Sequence, residues 1–187
     1  MRTEGAGVRR VLVVGSSGSG KTTTARRIAG VLGVPHIELD ALHWGPDWTA
    51  ASADELRERV QLAITTDAWV VDGNYRGKIG TMVWDRADTV VWVNPSRPVA
   101  MWRSLSRTIR RVFTGQELWN GNRENWRGLL VWRGEESVLG WAWTSYPRTR
   151  DLYESAMNDP GNRHLDFHRL RTSREVDRMV ESLRSGR

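Results

Sequence analysis

The feature that most constrains this chain is a short apolar run, Val11-Leu12-Val13-Val14, that feeds directly into Gly15-Ser16-Ser17-Gly18-Ser19-Gly20-Lys21-Thr22. The pattern is G-x-x-x-x-G-K-S/T, with a strand-like segment before it and a helix-like one after it. That is the context a phosphate-binding turn requires. Lysine is rare here. The chain holds only Lys21 and Lys78 and otherwise uses arginine for positive charge, so composition does not account for a lysine at this place.

Glycine at 15, 18 and 20 lets the backbone turn tightly and bring N–H groups towards anionic oxygens. Those amides, with the positive end of a helix starting near Gly20, favour a polyphosphate. The expected cradle is Gly15, Ser17, Gly18, Ser19, Gly20, Lys21, Thr22 and Thr23. Lys21 is expected to reach the β- and γ-phosphates, and the Thr22 hydroxyl to ligate Mg²⁺.

The length of 187 residues suits one domain, 1–187, with a real core. No apolar run approaches the roughly 20 residues that span a bilayer, and the first residues lack the apolar stretch of a signal peptide. With no cysteine, disulfide frameworks and thiolate metal sites are excluded. A cytoplasmic protein with no membrane association is the expectation. The formal charge of +6 suggests an anionic partner, whether nucleotide, phosphorylated substrate or nucleic acid.

Five strand-like segments are expected: 8–14, 35–39, 68–72, 89–93 and 165–170. Helices are expected over 21–32, from a cap at Ser52 or Asp54 to about 65, over 97–113, and from a cap at Ser173 to the end. A further helical stretch holds Trp132, Leu139 and Trp143 and is interrupted at Pro147. The polar, glycine-bearing segment 115–128 reads as a mobile flap, part of a lid-like insertion at about 113–150. Alternating strands and helices imply a parallel sheet covered on both faces. Ligands of such sheets sit at the carboxyl ends of the strands, where Gly15, Asp40 and Asp72 all fall.

Asp72 ends an apolar strand. It either holds Mg²⁺ through its water shell or begins a turn with Gly73. Asp40 is a candidate to orient or deprotonate an acceptor hydroxyl, or else caps a helix. Arg76 is a candidate clamp for an acceptor phosphate or carboxylate. His43, Trp44 and Trp48 either form an aromatic acceptor pocket or pack. Arg103, Arg107, Arg110 and Arg111 share one face of the helix over 97–113, with Trp102, Leu105, Ile109 and Val112 as its expected buried side. No acid lies between 97 and 111, so those guanidinium groups are expected to gather an anion, polyphosphate or a nucleic-acid backbone. Arg123 and Arg127 in the flap are candidates to close over the γ-phosphate.

Together these residues resemble the nucleoside-monophosphate-kinase branch of P-loop proteins, and more closely the adenylate-kinase-related proteins called topology modulation proteins. The matching stretches are the glycine turn, Glu38-Leu39-Asp40-Ala41-Leu42-His43-Trp44, Trp69-Val70-Val71-Asp72-Gly73-Asn74-Tyr75, residues 87–92, 103–111 and 169–175. Adenylate kinases carry Asp-Gly-Phe-Pro-Arg where this chain has Asp72 to Arg76. The resemblance implies a three-layer α/β/α fold with a five-stranded parallel sheet and a small helical lid, and ATP and Mg²⁺ as cofactors. It implies Arg103 and Arg107 as the two arginines of the pre-lid helix. The chain departs from the family where Trp44, Pro46 and Trp48 replace the usual AMP-site pattern, and its lid lacks zinc cysteines.

The expected activity is transfer of the ATP γ-phosphoryl group to a small acceptor, a nucleotide among the candidates. Lys21, Asp40, Asp72 and Arg107 would be catalytic, Thr22 and Asp72 would hold the metal, and Asp40, Trp44, Arg76, Arg111 and Arg123 would hold the acceptor. The alternative is a nucleotide-dependent regulator that binds DNA and influences its topology, supported by the basic charge but by no helix-turn-helix or zinc finger. A GTPase switch ranks last, because the chain has no Asn-Lys-x-Asp guanine signature.

Overall fold

The computed structural model of the protein describes residues 8–124 and 138–186. Five strands, β1 (Arg10–Val14), β2 (His36–Glu38), β3 (Trp69–Asp72), β4 (Thr89–Val93) and β5 (Asp166–Leu170), form one sheet in the order β2-β3-β1-β4-β5. Every pairing is parallel. The helices are α1 (Lys21–Leu32), α2 (Leu39–His43), α3 (Ala53–Ala63), α4 (Arg76–Ile79), α5 (Arg97–Thr114), α6 (Val138–Asn158) and α7 (Ser173–Ser185).

Alternation along β1 builds both sides of the core. Val11 and Val13 join Ala25 and Ile28 of α1 and Val176 and Val180 of α7 on one face. Leu12 and Val14 join Leu56 and Val60 of α3, Trp69, Trp92 and Tyr153 of α6 on the other. The central strands are buried on both faces, which is why they read as continuous apolar runs. Each such Val or Leu stabilises the fold by about 1.5–3 kcal/mol. The three-layer α/β/α fold is therefore present.

Several local expectations need correction. Strand β2 ends at Glu38; Leu39 turns into the core and starts α2, so Asp40 lies in a first helical turn instead of at a strand end. Helix α7 is capped by Thr172, whose hydroxyl accepts from Glu175 N–H, not by Ser173. Of the two caps expected for α3, Ser52 is the one present, in a reciprocal capping box with Glu55.

The buried side of α5 is Ala100, Ser104 and Thr108, while Trp102 is 69% and Phe113 84% exposed. The reason is the glycine turn. Gly18 has φ +74°, and a Cβ there would collide with the carbonyl oxygen of Ala100. Backbone meets backbone at that point, so only small side chains fit beneath the helix.

Helix α6 runs straight through Pro147. Proline cannot donate to the carbonyl four residues back, which belongs to Trp143. That oxygen instead accepts from Arg97 Nη2 at 3.0 Å, so the freed acceptor is satisfied from α5. The expectations for Trp132 and for the side chain of Leu139 lie outside the described residues.

Candidate functional site

The sheet order places β1 between β3 and β4, so the turn after β1 opens between two crossovers. Gly15 has φ +153°, and a Cβ there would meet the carbonyl oxygen of Val93. Two side chains missed by the sequence reading hold this turn. Asn74 Nδ2 donates to Gly15 O at 2.6 Å and Gly15 N–H donates to Asn74 Oδ1 at 3.2 Å. Tyr153 of α6 donates to the same Oδ1 at 2.9 Å, and burial pushes the Tyr153 phenol well above its ordinary pKa. A reciprocal amide pair 59 residues apart carries no periodic signal, and the Asp72-to-Arg76 interval drew attention to its ends.

Polar atoms around the turn are shielded yet unbonded. The Ser16 and Ser19 hydroxyls, Asp72 Oδ1 and Arg107 Nε have no hydrogen-bond partner. Lys21 and Thr22 also lack a side-chain partner among the described residues. An unsatisfied buried polar group costs about 1–3 kcal/mol, so this many in one place mark where a polar ligand belongs. Asp72 is held from its other oxygen, with His36 Nε2 3.1 Å from Oδ2. A carboxylate fixed on one side and open on the other fits a metal-bound water. No cluster of three or more metal-ligating side chains occurs among the described residues. Mg²⁺ held by substrate phosphates, one hydroxyl and one carboxylate needs none.

Beside the turn lies a cavity of 240 Å³ lined by Ser19, Gly20, Thr23, Arg103 and the 171–173 loop after β5. Arg103 spans it, donating to Ser19 O at 3.3 Å and Ser173 Oγ at 3.1 Å. The size and position suit the base and ribose of a nucleotide whose phosphates lie on the glycine turn. From sequence, 169–175 is only a stretch matching the family and Ser173 only a helix cap; none of Arg171, Thr172 and Ser173 is given a ligand role.

The arginines of α5 are not four free cations. Arg103 faces this cavity. Arg107 donates to Ser17 Oγ at 3.1 Å, and burial, then the charge of Arg111, push its pKa down while Glu124 and Asp40 pull it up. Arg111 Nη1 pairs with Glu124 Oε1 at 2.8 Å, with the two side chains 17% and 10% exposed. Arg110 remains exposed. The acid that relieves the repulsion comes from beyond the helix, where the local charge count did not look.

On the other side of the turn, Tyr75 donates to Asp40 Oδ1 at 2.7 Å, and burial followed by the Asp40 charge raises the phenol's pKa strongly. His43 packs against the rings of Trp44 and Tyr75, and Trp44 meets Trp48 edge-on. Lys78 Nζ donates to His43 Nε2 at 3.2 Å. Burial, then the Lys78 charge, lower the imidazole's pKa. Arg76 lies 4.8 Å over the Trp84 ring and has no acidic partner among the described residues.

The described part of the expected mobile flap is a pinned turn. Asn122 donates to Gly45 O at 2.8 Å and accepts from Trp48 N–H at 2.7 Å. Asn120 donates to the carbonyls of Ala41 and Trp44, and Trp119 Nε1 donates to Glu38 Oε2 at 2.9 Å. The 117–124 turn is thus latched onto the 38–48 segment. Arg123 contributes its carbonyl, which accepts from Trp48 Nε1. Its guanidinium is exposed and lies 3.7 Å from Glu117. Arg127 lies outside the described residues.

A family model described as "ATPase family associated with various cellular activities (AAA)" matches residues 11–71, from β1 into β3. No curated protein matches the chain. Among solved structures, the chain is similar to a gluconokinase from Sinorhizobium meliloti 1021, at 19% identity and TM-score 0.51, over 95% of this chain and 94% of that one. It is similar to a shikimate kinase from Bacteroides thetaiotaomicron, at 15% identity and TM-score 0.51, over 95% and 97%. It is also similar to a deoxyadenosine kinase from M. mycoides, at 14% identity and TM-score 0.51, over 94% and 99%. At these identities the likeness is one of fold.

Proposed function

We propose, from the premise that this chain is a P-loop NTPase with a kinase-like fold, that it binds ATP with Mg²⁺ and transfers the γ-phosphoryl group to a small hydroxylated acceptor. The observation that carries this reading is the set of shielded, partnerless polar atoms on the glycine turn and Asp72, continuous with the 240 Å³ cavity at Arg103. The kinases it resembles in fold act on gluconate, shikimate and a deoxynucleoside by their names, and hydroxyl acceptors are the class carried over here.

In this reading Arg103, Ser173 and Thr23 hold the base and ribose. The amides of 15–22 and Lys21 hold the phosphates, and Thr22 and Asp72 hold Mg²⁺. Mg²⁺, held there, would supply positive charge that offsets the charge of the phosphates during transfer. Arg107, desolvated beside Ser17, faces the charge that spreads over the transferring group. Asp40 has Oδ1 fixed by Tyr75, which leaves Oδ2 for the acceptor hydroxyl. The acceptor oxygen forms the new bond to phosphorus as the bond to the β–γ bridging oxygen breaks. ADP leaves with that electron pair, and Asp40 takes the proton. Trp44 and Arg76 flank the acceptor.

Acceptor-stimulated ADP release tests this. We expect Asp40→Asn to lower kcat roughly a hundredfold or more, in the range of general-base effects, with MgATP binding retained. ATP binding without stimulation by any acceptor would overturn the transfer step.

A further inference from the structure

Arg107 joins the two ends of the site. It donates to Ser17 on the glycine turn, and Arg111, Glu124 and Asp40 are the charges that act on it. This group is already balanced before an acceptor arrives. Glu124 neutralises Arg111, and Asp40 is the acid that offsets Arg107. What is left over is an acceptor of hydrogen bonds. Glu124 Oε2 is shielded from solvent and bonded to nothing among the described residues, on a side chain nine-tenths buried. The latch through Asn122, two residues earlier, fixes where this carboxylate sits.

A buried carboxylate oxygen without a donor is costly. A hydroxyl arriving there supplies the missing donor. A phosphate arriving there brings only like charge and lone pairs, and Arg111 is already engaged.

We infer that Glu124 determines acceptor specificity. Its Oε2 accepts from a hydroxyl of an unphosphorylated, polyhydroxylated acceptor whose reacting hydroxyl meets Asp40, and its hold on Arg111 withholds that guanidinium from an acceptor's phosphate. The inference rests on the phosphoryl-transfer reading above and names the acceptor class for that same site.

The test is ADP release from MgATP across polyols and hydroxy acids on one side and sugar phosphates and nucleoside monophosphates on the other. Wild type is expected to respond at least tenfold to a member of the first class and to none of the second. Glu124→Gln is expected to raise KM for that acceptor at least tenfold while kcat changes less than threefold. With Arg111 freed, the kcat/KM ratio of phosphorylated to unphosphorylated acceptors should rise at least tenfold. Should the single variant fail to fold, the double variant Arg111→Gln with Glu124→Gln replaces it, and should raise KM without any gain for phosphorylated acceptors. A phosphorylated acceptor preferred by wild type, or an unchanged KM in the variant, overturns the inference alone. No response to either class, with MgATP bound, overturns the transfer reading and the inference with it.

Discussion

The glycine turn after β1 and the 117–124 turn both lie against the same end of the molecule, yet their polar atoms are in opposite states. Around the glycine turn, Ser16, Ser19, Asp72 and Arg107 each keep a shielded atom without a partner. In the 117–124 turn, Asn122 bonds to Gly45, Trp48 and Trp119, and Asn120 and Trp119 are bonded as well. The first region is folded and polar but incomplete, as a binding site is. The second is bonded through Trp119, Asn120 and Asn122, as a structural joint is, and keeps a shielded, partnerless atom at its end, Glu124 Oε2. Both hold residues at positive φ: in the first they are glycines, in the second Asn120 beside Gly121, with Asp47 and Trp48 in the segment it latches. Non-glycine residues there cost about 1 kcal/mol or more each, and the latch bonds offset that cost.

The comparison breaks most visibly at Gly18. Gly18→Ala should destabilise the protein by about 3 kcal/mol, since the new Cβ meets the Ala100 carbonyl at a backbone conformation alanine disfavours. The urea midpoint measures it, and a midpoint equal to wild type would show that the turn does not pack on α5 as described. Asn122→Ala should cost roughly 2 kcal/mol by orphaning Trp48 N–H and Gly45 O. Hydrogen exchange at 44–50 should speed up while exchange in β1 and α1 does not. Uniform acceleration across the chain would mean that the latch is part of the global core. Arg103→Ala should weaken nucleotide binding about tenfold, the loss of a charge-assisted contact in the cavity, and equal affinities would move the nucleotide elsewhere.

The smallest effect concerns His43. Its folded pKa is lowered by burial, so below about 6.5 the unfolded chain takes up the proton first. Stability should therefore rise with pH through the window between the folded value and 6.5 and fall as pH drops through it. Urea midpoints at pH 7.5 and 5.5 should differ less in His43→Gln than in wild type. An identical pH slope in both would remove His43 as the source.

The sequence made the first of these regions far more legible than the second. A strand, three glycines, a lysine and a helix occupy one continuous stretch, so β1, the turn and α1 follow from local pattern, and the parallel sheet follows from the alternation of elements. Asp40 was legible as a polar residue beside that turn, though not its place in α2. The latch was not, because Asn120 and Asn122 reach backbone carbonyls of a segment more than 70 residues away. Side chains that bond to distant backbone leave no period and no spacing in the sequence. The same holds for the Arg111–Glu124 pair, which undid the idea of four free arginines. On α5 the large apolar residues looked like the core face, but the closeness of Gly18 gave that face to Ala100, Ser104 and Thr108.

Calorimetric titration of MgATP into wild type and Lys21→Met tests the central claim most directly. The account predicts saturable binding to wild type and a loss of roughly a hundredfold, about 2.7 kcal/mol, in the variant, because a buried phosphate loses its one ammonium partner. Equal affinity for both proteins, or no uptake by wild type, would contradict it.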